Sequence, residues 1–390
     1  MDNTSQRAIQ AANNGRLSFC KFLSANDTGD TGGHQAGIYI KKDAVEILFD
    51  EPGTKGSNKD RFVKICWHDD FTTESHFIYY GTGTRDEYRI TRFGRGFPFL
   101  RKEHTGDLFV LVMDDYEDYC AYVLETEEDI NTFLGAFAMG PADTGAIIKK
   151  DEVHLDGRAE NAVSDFVRAL TVDFPTTYEM SQTARKIYND VYNHVENVLQ
   201  NPDELLVDWI EIEYRLFRKI EFFRYGDMIA KGFTSVEQFI DTANMVLNRR
   251  KSRAGKSLEH HLAAIFDGNS VLFQSQPKTE GNKHPDFIFP NEEAYQNFRY
   301  PANRLVFLGA KTTCKDRWRQ ITTEADRIPN KHLLTLQQGI SAQQLDEMES
   351  QNITLVVPSP YIKAYPREKW SGIWTLRKFI AFAKEKEMGR

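Results

Sequence analysis

Short apolar runs separated by turn signals dominate the first 150 residues. Gly37-Ile38-Tyr39-Ile40, Phe62-Val63-Lys64-Ile65, Phe77-Ile78-Tyr79-Tyr80, Leu108 to Val112 and Cys120 to Leu124 each fit a strand. Gly-rich stretches at Thr28–Gly33 and Gly81–Thr84 punctuate them. Many short strands with frequent turns predict a mainly-β barrel or sandwich. From Met139 to about Phe174 the periodicity fades through Gly140-Pro141, which places a first domain at 1–150, a polar linker at 151–175 and a second domain at 176–390.

Beyond Thr176 the period changes to that of a helix. Ile187, Val191, His194 and Val198 share one helical face, as do Leu216, Ile220 and Phe223. A capped helix is expected near Ser235, carrying Phe239, Ala243 and Val246, and another presents Leu258, Leu262, Ile265 and Phe266. Val271–Phe273, Phe287–Phe289, Leu305–Leu308, Leu333-Leu334 and Ile353–Val357 follow as strands of a mixed, largely buried sheet flanked by helices. There is no internal repeat.

Composition narrows the class. At 390 residues the chain suits two domains. No apolar stretch approaches the roughly 18 residues of a membrane span, and MDNTSQRAIQ lacks a signal pattern, so a cytoplasmic protein is expected. Cys20, Cys66, Cys120 and Cys314 have neither CxxC nor zinc-ligand spacing and read as free thiols. The net charge of −8 argues against indiscriminate coating of nucleic acid. Basic residues nevertheless cluster at Arg249–Lys256, Lys311–Arg319 and Arg85–Lys102; these are either local phosphate contacts or solvated faces. Asp114–Asp129 holds eight acids and no Lys or Arg, and reads as a solvated hairpin turned away from any polyanion.

The candidate chemistry lies in Pro285-Asp286, a strand ending Gly309-Ala310-Lys311, and a following helix expected to run through Glu324. Hydrolysis of a phosphodiester needs a divalent metal on oxygen ligands and a water held in line with the leaving oxygen. Two carboxylates and a lysine on adjacent strands supply this in PD-(D/E)xK nucleases. Here Gly309 stands two residues before the lysine, where the second carboxylate is usual. Glu324 offers a substitute. On a helix it would share a face with Arg317, seven residues away; otherwise it would be a surface ion-pair partner of Arg319 or Arg327. Glu259 borders its helix's apolar face, as a supporting carboxylate or a solvated residue.

Long runs make the resemblance specific. Asn248–Glu259, Thr279–Phe287, Lys311–Ile321 with Glu324-Ala325-Asp326, and Val356–Ser359 resemble the EcoRII restriction endonuclease family. So do Leu23–Gly29, Gly32–Gln35, Thr84-Arg85, Arg89–Arg92 and Gly94–Gly96 in the first half. The resemblance implies a type II, specifically IIE, endonuclease that needs Mg2+ and cuts double-stranded DNA at a CC-x-GG-like target. Asp286 and Glu324 would hold the metal, Lys311 would serve the water and Glu259 would assist. Lys315, Asp316 and Arg317 would read the outer base pairs, which suits their donor and acceptor chemistry. Trp209 is a candidate surface for a flipped base, or else a core residue. The first domain would be a B3-like pseudobarrel that binds effector DNA and autoinhibits the nuclease. Its arms would carry Asn26, Gly33, His34 and Gln35, and Arg85, Glu87 and Arg89; Tyr88 departs from the basic residue the family carries there. A homodimer matching a two-fold target is implied, with a cognate methyltransferase acting on the same site without stable binding. The alternatives are a DNA-binding regulator with an inactive nuclease half and a repair nuclease without reading arms.

Overall fold

The computed structural model describes residues 4–30, 37–148, 157–192 and 197–389. Its first half comprises α1 (Thr4–Asn14), β1 (Leu17–Phe22), β2 (Ile38–Ile40), β3 (Lys59–Trp67), β4 (Thr72–Tyr80), β5 (Glu87–Thr91), β6 (Leu108–Met113), β7 (Tyr119–Leu124), α2 (Glu127–Ala136) and β8 (Ala146–Ile147). The strands make one curled sheet in the order β2-β5-β4-β3-β7-β6-β1-β8, antiparallel except where β3 meets β7. Inward residues such as Phe19, Trp67, Phe77, Phe109 and Tyr119 fill its interior, while α1 and α2 cover the opposite face of β1, β6 and β7 through Ala8, Ala12, Ile130 and Phe133. This is the expected mainly-β half. Strands β1 and β5 were not expected: β1 alternates a lysine and a serine among aromatics, and β5 lies inside a charged cluster.

The second half holds α3 (Gly157–Ala169), α4 (Thr177–Tyr192), α5 (Asn197–Gln200), α6 (Pro202–Lys231), α7 (Val236–Gly268), β9 (Gln274–Ser275), β10 (Phe287–Phe289), α8 (Glu292–Gln296), β11 (Val306–Lys311), β12 (Lys331–Thr335), α9 (Ala342–Ser350), β13 (Ile353–Val356) and α10 (Leu376–Glu387). The five strands form the mixed sheet expected, in the order β13-β12-β11-β10-β9. β11, β12 and β13 are parallel; β9 and β10 are antiparallel to their neighbours. One face packs on the helices through Phe266, Phe287, Val306 and Leu334. The other packs on Trp318, Ile321, Leu345 and Tyr365.

Four expectations need correction. Much of the supposed linker is α3, whose Ala159, Val163 and Val167 enter the helical core. The helix capped by Ser235 and the one carrying Leu258 are a single helix of 33 residues; the polar run between them stays helical because its arginines find partners. Arg250 pairs with Glu221, and Arg253 lies over the rings of Tyr214 and Phe217. That run is therefore largely structural rather than a free phosphate-binding face. Strand β9 begins at Gln274, and Val271–Phe273 is irregular chain. Finally, Glu324 is not on an α-helix. Arg317–Thr323 form a 3-10 helix and Glu324 caps it in extended conformation. With three residues per turn, positions seven apart no longer share a face.

Candidate active site and its cover

Asp286 precedes β10 and so lies beside β11, into which its neighbour pairs. Its Oδ2 accepts the backbone N–H of Ala310 at 2.8 Å and stands 3.5 Å from Lys311 Nζ. The side-chain amide of Gln276 bridges two carboxylates, donating to Asp286 Oδ1 at 3.3 Å and to Glu259 Oε2 at 3.1 Å. Lys256, one turn before Glu259 on α7, neutralises that residue at 2.9 Å.

Glu324 arrives from the other side, off the end of the 3-10 helix. Burial pushes its carboxyl above the usual range and the Asp286 carboxylate adds to this, while Lys311, Lys283 and Lys331 oppose. Among the described residues its carboxylate takes no hydrogen bond. Lys283 anchors the neighbouring Thr323 carbonyl, and Thr322 and Thr323 turn their hydroxyls back onto carbonyls three residues earlier, closing the 3-10 turn.

Gly309 explains the departure from the usual motif. A Cβ there would stand 3.2 Å from Ile321 Cγ2 and 3.4 Å from Leu333 Cδ1. The space for a carboxylate on that strand position is filled by Ile321 of the 3-10 helix, and the candidate second acid, Glu324, stands at the end of that helix. The fold thus brings Asp286, Lys311, Glu324 and Glu259 to one side of the sheet. Such a donor set, the Asp286 and Glu324 carboxylates gathered beside a lysine, suits a divalent cation with oxygen ligands. Another group of cation-ligand type, His104, Asp107 and Glu125, lies in the first half near Lys315 rather than here.

The candidate base-reading residues are covered. Glu127, at the start of α2, is buried against them and its Oε2 accepts the backbone N–H groups of Lys315, Asp316 and Arg317 at 3.2, 3.1 and 3.1 Å. Lys315 Nζ contacts the buried Asp107 carboxylate; burial pulls the ammonium down to about 8. The acidic stretch expected to face away from any polyanion therefore reaches the candidate base-reading segment through Glu127. Local sequence carried no signal for it, because the contact spans 190 positions.

Trp209 does not offer a stacking surface. It is 3 % exposed in the helical core, with His261 and Arg185 against its ring. On the first domain, Asn26 sits in a turn pinned by Asp27, which accepts from Ser24 and Tyr39 backbone N–H groups and pairs with Lys21. Arg85 is exposed and lies over Tyr80. Arg89 is buried, bracing Glu87 at 3.3 Å rather than facing solvent. Tyr88, the departure, points inward and accepts the Gly53 N–H at 2.7 Å. Gly33, His34 and Gln35 lie outside the described residues. All four cysteines are free, and no helix among the described residues is long and apolar enough to cross a membrane.

Two family models match the chain: "Restriction endonuclease EcoRII, N-terminal" over residues 12–149 and "EcoRII C terminal" over residues 217–380. The Type II restriction enzyme EcoRII of Escherichia coli is 40 % identical over 385 residues, covering 93 % of each protein. The chain belongs to the EcoRII family of type II restriction endonucleases. Two solved structures are similar at the level of 14–19 % identity. A PspGI–substrate DNA complex aligns over 56 % of this chain and 95 % of its own at a TM-score of 0.46. Metal-depleted Ecl18kI with uncleaved, modified DNA aligns over 60 % of this chain and 85 % of its own at 0.45.

Proposed function

We propose that the protein cuts both strands of double-stranded DNA at a CC-x-GG-like site, using Mg2+ held by Asp286 and Glu324 with Glu259 in support. The observation that carries this reading is the meeting of Asp286, Glu324 and Lys311, with Lys311 3.5 Å from Asp286. A bound divalent ion would supply charge neutralisation at the scissile phosphate and a more acidic water. The chain's own part is positional. Asp286 is fixed by the Ala310 N–H and the Gln276 amide, and the Lys311 ammonium can hold a water or phosphate oxygen beside it. Lys315, Asp316 and Arg317 contribute base contacts.

The first domain, with Asn26, the 33–35 segment, Arg85 and Glu87, binds a second copy of the site and gates the nuclease. Support comes from the cover that Glu127 and Asp107 place on the reading segment, and from Gln337, which ties β12's end to the Gly106 carbonyl at 2.8 Å. The gate opens when effector DNA favours the uncovered arrangement. A homodimer completes the reading. The tip of the α6–α7 hairpin leaves Phe222, Phe223, Ile229, Val236, Phe239 and Ile240 exposed, a run of apolar surface that a second copy would bury. The same reading places the protein in the cytoplasm, beside a methyltransferase that modifies the site without stably binding it. Discrete, EDTA-sensitive fragments from methylation-free plasmid DNA would support it; retardation without cutting would mean a regulator, and random nicking a repair nuclease.

A further inference from the structure

All three proposed base-reading side chains already have partners, and all three partners belong to the first domain. Lys315 meets the Asp107 carboxylate. Asp316 Oδ2 accepts the backbone N–H of Glu127 at 2.9 Å. Arg317 donates through Nε at 3.2 Å, and through a terminal nitrogen at 3.1 Å, to Glu127 Oε1. Asp107 is fully buried and Glu127 is 4 % exposed, so neither acid is a passing surface contact.

The order of these partners is the informative point. Along 315–316–317 the first domain presents an acceptor, a donor and an acceptor. In the major groove, Lys and Arg seek the O6 and N7 acceptors of guanine, and Asp seeks the N4 amino donor of cytosine. A cover selected only to block access would need bulk; this one supplies the matching hydrogen-bond chemistry to each residue in turn.

We infer that this face of the first domain imitates a base-pair edge: the Asp107 and Glu127 carboxylates stand where guanine acceptors would, and the Glu127 N–H stands where the cytosine amino group would. The inference rests on the proposal that Lys315, Asp316 and Arg317 read the target, and it names how that reading is regulated. The cover is an internal competitor for the reading residues, not an obstruction of the catalytic carboxylates. Random DNA can offer phosphates to Lys315 and Arg317 anywhere, but sets an amino donor opposite Asp316 in register with two guanine edges only by chance. Displacing the imitation with the wrong sequence leaves that carboxylate facing unmatched groups, which is costly. The competitor therefore sharpens discrimination as well as lowering the basal rate.

The test uses the full chain on linear DNA carrying one mapped cut site. Initial rates are measured against DNA concentration for wild type, Glu127→Ala, Glu127→Gln and Asp107→Asn, with circular dichroism to confirm folding. Glu127→Ala should lower the DNA concentration giving half-maximal rate by about tenfold, the value of one 1.4 kcal/mol contact. The saturated rate should stay at the wild-type value, because the catalytic groups are untouched. Glu127→Gln and Asp107→Asn should give smaller gains of the same kind, so the result does not hang on one variant. Adding Arg317→Ala to Glu127→Ala should erase the gain, since competitor and target share that residue. An unchanged half-saturation in both Glu127 variants, or a gain confined to the saturated rate, would overturn the inference. A wild-type protein that cuts no DNA would instead overturn the functional reading beneath it.

Discussion

Glu259 and Asp286 come from different elements, yet one side-chain amide joins them: Gln276 donates to both, at 3.1 and 3.3 Å. With Lys256 and Lys311 offsetting their charges, the amide fixes the two carboxylates in the orientation from which they could share a cation. Gln276→Ala should therefore weaken the apparent affinity for magnesium by about 10–100-fold, the usual effect of removing a residue that orients metal ligands. Cutting rates titrated against magnesium would show it. Recovery of near-normal rates at high magnesium is expected; an unaltered titration would remove Gln276 and Glu259 from the site.

Arg317→Ala removes a proposed guanine contact worth about 1–3 kcal/mol of discrimination. Binding in EDTA by a C-terminal fragment that lacks the first domain should weaken for site-bearing duplexes and change much less for random ones. Equal losses would make Arg317 a phosphate contact only.

Removing the first domain should speed cutting of single-site DNA, and the place of truncation matters. A chain starting at Gly157 keeps α3 and its Ala159, Val163 and Val167 in the helical core. A chain starting at Thr171 loses them and should melt at a lower temperature, since each buried valine contributes about 1.5–3 kcal/mol. Thermal unfolding and single-site cleavage of both chains would check the two expectations together. A Gly157 chain slower than the full protein on single-site DNA would mean that the first domain targets the nuclease rather than gating it.

His332 gives a pH signature independent of catalysis. It is buried among Trp374, Phe379 and Phe382 with Nδ1 3.2 Å from the Phe307 carbonyl, and burial holds the imidazole down, to about 4 from 6.5. The folded state resists protonation where the unfolded chain accepts it. Stability from this group is thus complete above pH 6.5 and is lost as pH falls from 6.5 towards 4, by up to about 3 kcal/mol. Denaturant midpoints across that window should fall more steeply for wild type than for His332→Gln. Parallel slopes would contradict the assignment.

The sheets and the acids were legible in the chain because they obey local rules. Short apolar runs between turns marked β3, β4 and β10 to β13, and Pro285-Asp286 with Lys311 stood at predictable strand ends. What escaped depends on distant partners. Arg250 and Arg253 look like part of a phosphate-binding run until Glu221 and Tyr214 are placed beside them. Glu127 looks solvated until the 315–317 segment folds against it. Glu324 was expected on an α-helix; Ile321 packing on Gly309 and the threonine side chains favour a 3-10 turn that periodicity alone does not signal. Trp209 illustrates the converse, since an aromatic residue on a helix says nothing about which way the helix faces.

Lys311 offers the most direct measurement. Its Nζ lies 3.5 Å from Asp286 at the proposed cutting centre, whereas the base-reading candidates stand on the segment that follows. The Lys311→Ala protein should bind a site-bearing duplex in EDTA much as wild type does, and its single-turnover cleavage with magnesium should fall by at least about a hundredfold, the scale of one lost charge-stabilising or proton-transferring group. Near-normal cleavage by a folded Lys311→Ala protein would contradict the account.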